Sequence, residues 1–480
     1  MANLNEIINY NTQILSDFYS KNKEFFNLKL KLLKELNLFN FKDFKIIATG
    51  HQPIFYYPNI LCKNFFVSKN AKELNMLPLN IVVDTDLFEI KIPVPYKENN
   101  KYKINYFEIP NPQNLTFNQF KINLNELEKF FKKIEKSLKT LKIESVTNNF
   151  KNYYRNFLKF YKKNENFVDT ITQLRKDFEK NIGINLIDIK VSKISKTFAF
   201  YKFFFYIVKN IESFSEIYNT QLKEKKFKEA KPLKIDSKNF ELPFWYFENR
   251  RLNLFLQKNN KNIIFFSEKE KIIELNIEKF SEDEILNILK NRLIIFPKAI
   301  TLTLFIRLFL ANLFIHGTGG SRYEKIGDFI IENFFNLKNL KYIVVTGEIS
   351  FPFEIDINKI ENEFNHKRKI LNELLYHPEK FMDDEKRNFY LNLKKELVNK
   401  LKTSNDKNER KAIHQKLKNI DIEMRNFFMR QIKSIQKELK ENEEILRQKK
   451  VFVEKSYPYF IYPLEMDWEK IFSEKSIIFY

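Results

Sequence analysis

The placement of glycine constrains this chain more than any other feature of its sequence. The chain has 7 glycines in 480 residues, where an average composition would give about 34. Lys, Asn, Ile, Phe and Tyr are overused, as is typical of AT-rich coding. Glycines that persist under this bias are expected where a side chain would not fit. Six of the seven lie in two regions after apolar runs, and only Gly183 is isolated.

Both glycine-containing regions carry a histidine, and they are the first candidates for a site. One is ATGHQP at 48–53. The other begins with IHGTGGSRY at 315–323 and continues to Gly347, with Glu348 as a further candidate. Backbone amides at the start of a helix favour anions, so these loops predict ligand contacts. The predicted ligand-binding residues are Thr49, Gly50, Gly317, Thr318, Gly319, Gly320, Tyr323 and Asp328.

The first loop lies within a predicted βαβ unit. Residues 44–48 (FKIIA) and 79–83 (LNIVV) have the composition of strands, and 59–75 has helical spacing. This order predicts an α/β fold with a parallel sheet. Ligands bind beyond the carboxyl ends of such strands, where the first loop and the Asp84-Thr85-Asp86 turn both lie.

The polar residues of these loops are candidates for chemistry. A histidine donates to phosphate or exchanges a proton near neutral pH. Asp84 and Asp86, at i and i+2, point the same way if the strand continues, and would then hold Mg²⁺, a ribose or an amino group. The alternatives are a tight turn with a capping histidine, a hydrated turn, and glycines that serve close packing. The predicted catalytic residues are His51, Gln52, Asp84, Asp86 and His316.

Familiar site motifs do not match. The loop after His316 is neither G-x-x-x-x-G-K-[ST] nor a dinucleotide fingerprint, and there is no G-x-S-x-G. His51 and His316 would be joint metal ligands with Asp84 and Asp86 only if the fold brought them together. Because no local ligand spacing occurs, no metal site is predicted.

The sequence predicts that the whole chain divides into five segments. The apolar run 299–315 predicts one buried helix, and a helix from about Glu409 to Lys449 predicts the second arm of a hairpin after a turn at 403–406. The predicted segments are 1–100 (N-terminal helices and the first part of the core), 101–230 (a helical insertion), 231–356 (the second part of the core), 357–452 (an antiparallel coiled-coil hairpin) and 453–480 (a return to the core).

Charge and cysteine content narrow the function classes. The net charge is +22, but the lysines are spread along the chain, which argues for a solvated surface rather than nucleic-acid binding. A single cysteine, Cys62, cannot form an intramolecular disulfide, which fits a reducing cytoplasm. No secretory signal and no membrane-spanning segment are predicted.

Two segments resemble the bacillithiol-biosynthesis cysteine-adding enzymes. ATGHQPIFYYPNILCKNFFVSKNAKELN with NIVVDTDLFEI is similar to that family's TGQQP loop, helix and acidic strand end. RLIIFPKAITLTLFIRLFLANLFIHGTGGSRYEKIGD is similar to its segment with a GGPGE loop. The chain has His51 for the first Gln of the loop, and Asp84-Thr85-Asp86 for DHD. A shorter similarity links Gly-His-Gln-Pro to WbqC-like sugar-associated proteins.

The resemblance implies a Rossmann-like core with helical insertions and a long coiled coil. It implies amide-forming addition of cysteine to a sugar conjugate, with ATP, ADP or another nucleotide as a candidate cofactor. The carboxylates of Asp84 and Asp86 make Mg²⁺ a candidate ion. We therefore expect a cytoplasmic ligase or transferase with a small-molecule substrate, such as an amino acid or sugar conjugate, and a homodimer through the coiled coil. The alternative is a non-catalytic scaffold with a degenerate core.

Overall fold

A computed structural model describes residues 4–224, 230–236, 238–259, 261–268, 270–347, 349–353, 355–463, 465–474 and 476–479. The chain divides into two compact units. The first comprises residues 1–94, 105–349 and 455–480, and the second comprises residues 95–104 and 350–454.

The two units together contain the following helices and strands, numbered in chain order. The helices are α1 (Leu4–Lys21), α2 (Lys23–Glu35), α3 (Pro58–Glu73), α4 (Leu124–Lys139), α5 (Glu144–Asn164), α6 (Phe167–Asn181), α7 (Val191–Ile194), α8 (Phe198–Lys209), α9 (Ile211–Glu224), α10 (Glu282–Arg292), α11 (Ala299–Phe309), α12 (Ser321–Asn333), α13 (Ile357–Tyr376), α14 (Asp384–Thr403), α15 (Lys407–Phe427), α16 (Met429–Leu446), α17 (Lys449–Phe452) and α18 (Trp468–Ser473). The strands are β1 (Ile46–His51), β2 (Leu77–Val82), β3 (Ile90–Glu98), β4 (Lys101–Ile109), β5 (Ile187–Lys190), β6 (Ile235–Asp236), β7 (Asn239–Phe247), β8 (Arg251–Lys258), β9 (Asn262–Ser267), β10 (Glu270–Asn276), β11 (Ile295–Pro297), β12 (Leu313–His316), β13 (Ile343–Thr346) and β14 (Ser476–Phe479).

A six-stranded sheet with the order β14-β13-β12-β1-β2-β5 forms the centre of the first unit. The five strands from β13 to β5 are parallel, and β14 pairs antiparallel with β13. The predicted α/β class and parallel sheet are confirmed. The predicted βαβ unit is β1-α3-β2. Pro58 begins α3, where its missing N–H has no helical partner to lose.

A second, antiparallel sheet with the order β10-β9-β8-β7-β11 lies in the same unit. α8 is rich in aromatic residues, and its Phe200 and Phe204 are fully buried. Their rings lie 5.9 and 4.9 Å from the Phe244 ring of β7. The Phe-rich composition therefore contributes to a continuous core.

The prediction of one helix over 299–315 is wrong. α11 ends at Phe309, and Leu313–His316 form β12 between β1 and β13. The Asn312 side chain accepts a hydrogen bond from the Ile46 N–H at 2.9 Å, at the start of this pairing. Among the described residues, no helix is both long and apolar enough to cross a bilayer.

The segment 101–230 contains more than the predicted helices. It includes α4 to α9, but also β4, which pairs with β3, and β5, which forms an edge of the parallel sheet. β5 pairs with β2 from Leu79–Ile187 to Val82–Lys190. This segment therefore supplies part of the sheet that carries the site.

In the second unit, α13 packs on α16 and α14 packs on α15. Leu374, Ile432 and Ile435 form one apolar cluster, and a second cluster is centred on Met424. The single helix predicted from Glu409 to Lys449 is instead α15 and α16, which are interrupted at Phe428. The N-terminus of α15 is capped by a side chain, because Asp406 accepts a hydrogen bond from the Asn408 N–H at 3.0 Å.

Candidate functional site

β1 and β12 are neighbours in the parallel sheet, and the chain leaves them in opposite directions. From β1 the order runs to β2 and β5, and from β12 it runs to β13. Such a reversal opens a crevice beyond the carboxyl ends of the strands, where α/β proteins bind ligands. β1 ends at His51 and β12 ends at His316. Both glycine-containing loops therefore start at this crevice.

A cavity of about 390 Å³ fills the crevice. Apolar side chains of α3, α11 and β12 form much of its wall, including Ile60, Leu302 and Phe314. The predicted site residues that line it are Gly50, His51, Gln52, Asp86, His316, Gly317, Thr318, Gly319, Gly320 and Tyr323. Three other predicted site residues do not line it, and Glu348 lies outside the described residues.

Lys63 is the cation of this cavity. It is 4% exposed, and its Nζ donates to the Gly50 carbonyl oxygen at 2.8 Å. Its Cδ would lie 4.0 Å from a Cβ on Gly317, so its stem lies between the two loops. Within the part of the chain that the structure describes, no carboxylate forms an ion pair with Lys63. A buried charge without a counterion favours an anionic ligand.

Two helices begin at the cavity and reinforce this charge. α3 starts after Tyr57 and α12 after Gly320, and neither of these residues caps its helix with a side chain. The unpaired N–H groups of a helix start carry partial positive charge. Burial lowers the pKa of Lys63 to about 8, so its ammonium remains charged at neutral pH. This end of the cavity is electropositive.

His51 also lines the cavity and is a neutral imidazole. Its Nδ1 lies 3.1 Å from the Gln52 carbonyl oxygen. Because a carbonyl only accepts, Nδ1 carries the proton and Nε2 is left as an acceptor. Burial, and then the charge of Lys63, lower the His51 pKa to about 3. His51 can therefore accept a proton but does not carry a charge at neutral pH.

Asp86 faces the cavity and is held by two donors. Gln52 donates from Nε2 to one carboxylate oxygen at 3.0 Å, and Arg251 contacts the other at 2.9 Å. The guanidinium of Arg251 lies 4.3 Å from the centre of the Trp245 ring. This arrangement fixes the orientation of both Gln52 and Asp86.

The expectation that Asp84 points the same way as Asp86 is wrong, because β2 ends at Val82 and the chain turns. Asp84 is 1% exposed. Its two carboxylate oxygens accept from the backbone N–H and the hydroxyl of Ser192, at 2.9 and 2.5 Å. Burial raises the Asp84 pKa. Asp84 therefore joins the end of β2 to the residues after β5, and has a structural role.

His316 belongs to a buried charge network under the second loop. Its Nε2 lies 3.3 Å from Glu324 Oε2, although neither atom has a hydrogen-bond partner among the described residues. Arg307 contacts the other Glu324 oxygen at 2.5 Å and Asp328 at 2.8 Å. Burial alone would raise the Glu324 pKa, but His316 and Arg307 together lower it to about 2. Asp328 therefore pairs with Arg307 away from the cavity.

The glycines have different reasons to be glycine. A Cβ on Gly50 would lie 3.0 Å from the Ile81 carbonyl oxygen, and one on Gly320 would lie 3.0 Å from His316 Nδ1. A Cβ at either position would therefore be closer than ordinary van der Waals contact and would force a neighbouring group to shift. A Cβ on Gly319 would have no atom of the described residues within 4 Å, and the φ of Gly319 is not positive. Gly319 borders the cavity, so its missing side chain leaves space for a ligand.

Thr49 lies in β1 just before the first loop and holds β1 and β12 together. It is fully buried, and its hydroxyl donates to the Ile315 carbonyl oxygen at 2.9 Å. This bond joins β1 to β12 at the switch point, which is the place between these two strands where the strand order reverses. Thr49 is therefore a structural residue rather than a ligand contact.

The sequence-based prediction missed Lys63, Arg251 and Asn59. Lys63 had one usable signal: it is a lone lysine in the apolar stretch ILCKNFFV, directly after the first loop. Asn59 follows Pro58 at the start of α3 and lines the cavity. Arg251 carries no local signal, because β8 reaches Asp86 only through the tertiary fold.

The residues fit an anionic ligand better than a protein-bound divalent ion. Asp84 and Asp86 have different partners, and no group of three His, Cys, Asp or Glu side chains among the described residues could hold a metal ion.

In comparisons with known proteins, no family model matches this chain and no curated protein has a significantly similar sequence.

Proposed function

We propose that this protein is an enzyme that binds a nucleotide, or another phosphorylated or sugar-bearing ligand, in the switch-point cavity. The proposed chemistry is ligase-type amide formation or group transfer. The observation that carries the proposal is Lys63, a buried lysine with no carboxylate partner among the described residues, at the meeting point of two glycine-containing loops. Keeping such a charge costs stability unless a ligand uses it.

In this proposal each side chain has one task. Lys63 and the amides of the loop before α12 bind a phosphate or carboxylate. His51 accepts a proton through Nε2 from an attacking amine or hydroxyl. Burial is the main cause of the low His51 pKa and the charge of Lys63 is the second, so an anion beside Lys63 would remove the second cause and raise the His51 pKa. Asp86 and Gln52 orient the attacking group.

Nucleotide phosphates suit the electropositive end of the cavity, so ATP or ADP remains the proposed cofactor. The chain itself does not fit a Mg²⁺ site, because both carboxylates of the Asp84-Thr85-Asp86 turn already have partners. The similarity to bacillithiol-biosynthesis cysteine-adding enzymes supports a Rossmann-like core and a cysteine, other amino acid or sugar conjugate as substrate. We propose a cytoplasmic location, since Cys62 is the single cysteine and is buried.

Isothermal titration calorimetry with nucleotides, sugar phosphates and amino acids tests this proposal. We expect at least one class to bind, and Lys63→Met to weaken it about 10- to 100-fold, because a charged hydrogen bond is lost. Lys72→Met, on the exposed face of α3, is the matched control and should bind normally. Equal binding by the wild type and Lys63→Met, or no binding of any class, would reject the proposal.

The scaffold alternative has its own observation. Large aromatic side chains of α13 to α15 are exposed: Tyr376 is 71%, Phe389 62% and Phe427 54% exposed. We propose that these helices form the coiled-coil hairpin and a homodimer contact. Light scattering of a Phe389→Ser, Phe427→Ser variant tests this contact. We expect the wild type to be a dimer and the variant to be a monomer, which would support this contact. An unchanged mass would exclude these two residues from the contact.

A further inference from the structure

Two polar side chains of α3 face the cavity from the same side of the helix. Asn59 and Lys63 both line it. They are four residues apart, which places their Cβ atoms about 6 Å from each other. A ligand that reaches Lys63 therefore passes within reach of Asn59.

The carboxamide oxygen of Asn59 is an unused acceptor. Asn59 Oδ1 is buried and has no hydrogen-bond partner among the described residues. Buried polar atoms in folded proteins are nearly always paired, because an unpaired acceptor has lost its hydration without replacement. Two other side-chain donors that line the cavity have partners elsewhere: His51 Nδ1 faces the Gln52 carbonyl oxygen, and Gln52 Nε2 donates to Asp86.

Lys63 has the opposite imbalance. An ammonium group has three N–H donors, and the described contact of Lys63 is its bond to the Gly50 carbonyl oxygen. The same wall of the cavity thus offers surplus donors with a positive charge and, one helical turn away, an unused acceptor. A simple anion would satisfy only the first of these.

We infer that the cavity selects an anionic group with a hydrogen-bond donor, a hydroxyl or an amine, next to it. Lys63 binds the anion, and Asn59 Oδ1 accepts from the donor. This inference rests on the proposed function and adds a specificity residue to it. Phosphate esters of polyols, hydroxy acids and amino acids share this chemistry.

Matched ligand pairs test the inference in the wild-type protein. Ethyl phosphate and 2-hydroxyethyl phosphate differ by one hydroxyl, and propionate is compared with lactate and alanine. Calorimetric titration should show that the donor-bearing member of a pair binds about five- to tenfold more tightly, as expected for one hydrogen bond to a buried unpaired group. The pair that binds identifies the anion as phosphate or carboxylate.

A variant then assigns the preference to Asn59. Asn59→Ala should bind the ligand without the donor as the wild type does, and should lose the preference for the donor-bearing one. Asn70→Ala is the matched control, since Asn70 lies on the same helix and its side chain donates to the Phe66 carbonyl oxygen. It should keep the preference.

The outcomes separate this inference from the proposed function. Equal affinity within every pair that binds in the wild type would overturn the inference and leave anion binding intact. A preference that survives in Asn59→Ala would overturn the role of Asn59. If no probe and no nucleotide binds, the proposed function fails together with the inference.

Discussion

Replacing Lys63 with methionine is expected to stabilise the protein while removing its anion site. Methionine has a similar length and no charge, so the change removes the ammonium from a buried position. The Lys63 pKa falls from 10.5 in water to about 8 in the fold. This difference of about 2.5, at about 1.4 kcal/mol per pKa unit, corresponds to about 3.5 kcal/mol of destabilisation by the buried charge.

Part of that gain is offset by a lost hydrogen bond. The Gly50 carbonyl oxygen loses its bond to Nζ, which costs about 1–2 kcal/mol. The net expectation at pH 7 is that Lys63→Met raises the free energy of unfolding by about 1.5–2.5 kcal/mol.

The stability difference between the wild type and Lys63→Met should depend on pH in a definite direction. Below pH 8 the lysine is protonated in both the folded and the unfolded state, so the wild type bears the full cost. Between pH 8 and 10.5 the folded state releases the proton first, and the stability of the wild type rises with pH. The advantage of Lys63→Met should therefore shrink above pH 8.

Urea denaturation followed by tryptophan fluorescence measures this, because Trp245 and Trp468 both lie in the first unit. The wild type, Lys63→Met and the control Lys72→Met are compared at pH 7 and pH 9.5. A Lys63→Met protein that is less stable than the wild type at pH 7, with a difference that does not depend on pH, would refute the reasoning.

Three further predictions concern the surroundings of the site. Glu324→Gln should destabilise the protein by about 3–5 kcal/mol at pH 7, because it breaks a buried ion pair with Arg307. Since the Glu324 pKa is lowered to about 2, the difference in stability between the wild type and this variant should fall as the pH drops from 4.5 towards 2 in acid-denaturation experiments. Gly320→Ala should lower the free energy of unfolding by about 1–3 kcal/mol in urea denaturation, because its Cβ would lie 3.0 Å from His316 Nδ1, whereas Gly319→Ala should keep the stability and weaken ligand binding. If the two variants had equal effects in both assays, the different roles of these glycines would be contradicted. Asp84→Ala should lower the free energy of unfolding by about 1–3 kcal/mol through the lost bonds to Ser192, and if Asp84 has only a structural role, calorimetry of the folded variant should give an unchanged ligand affinity.

Local sequence patterns determined the elements around the first loop. An apolar run, a helical period that starts at a proline, and a second apolar run are sufficient to define β1, α3 and β2, because strand and helix periods differ within a few residues. The parallel sheet followed from that order. Scarce glycine marked both loops of the cavity, since a residue that cannot be replaced stands out against a biased composition.

The tertiary structure decided what the same patterns left open. The apolar run 299–315 contains both α11 and β12, and a continuous apolar run does not distinguish a buried helix from a buried strand. Asp84 and Asp86 were separated by the end of β2 at Val82, and their partners come from β8 and from the residues after β5. Such partners are set by contacts between distant segments.

Lys63 gives the clearest physical reason for this division. The first turns of α3 are buried on nearly every side, so no polar face of the helix shows in its sequence and a lysine there has no assigned direction. The sequence determined that α3 forms and that it follows the first loop. Only the packing of α3 against the sheet placed the Lys63 ammonium at the Gly50 carbonyl oxygen and its stem beside Gly317. That position depends on β12 and its loop, about 250 residues later in the chain.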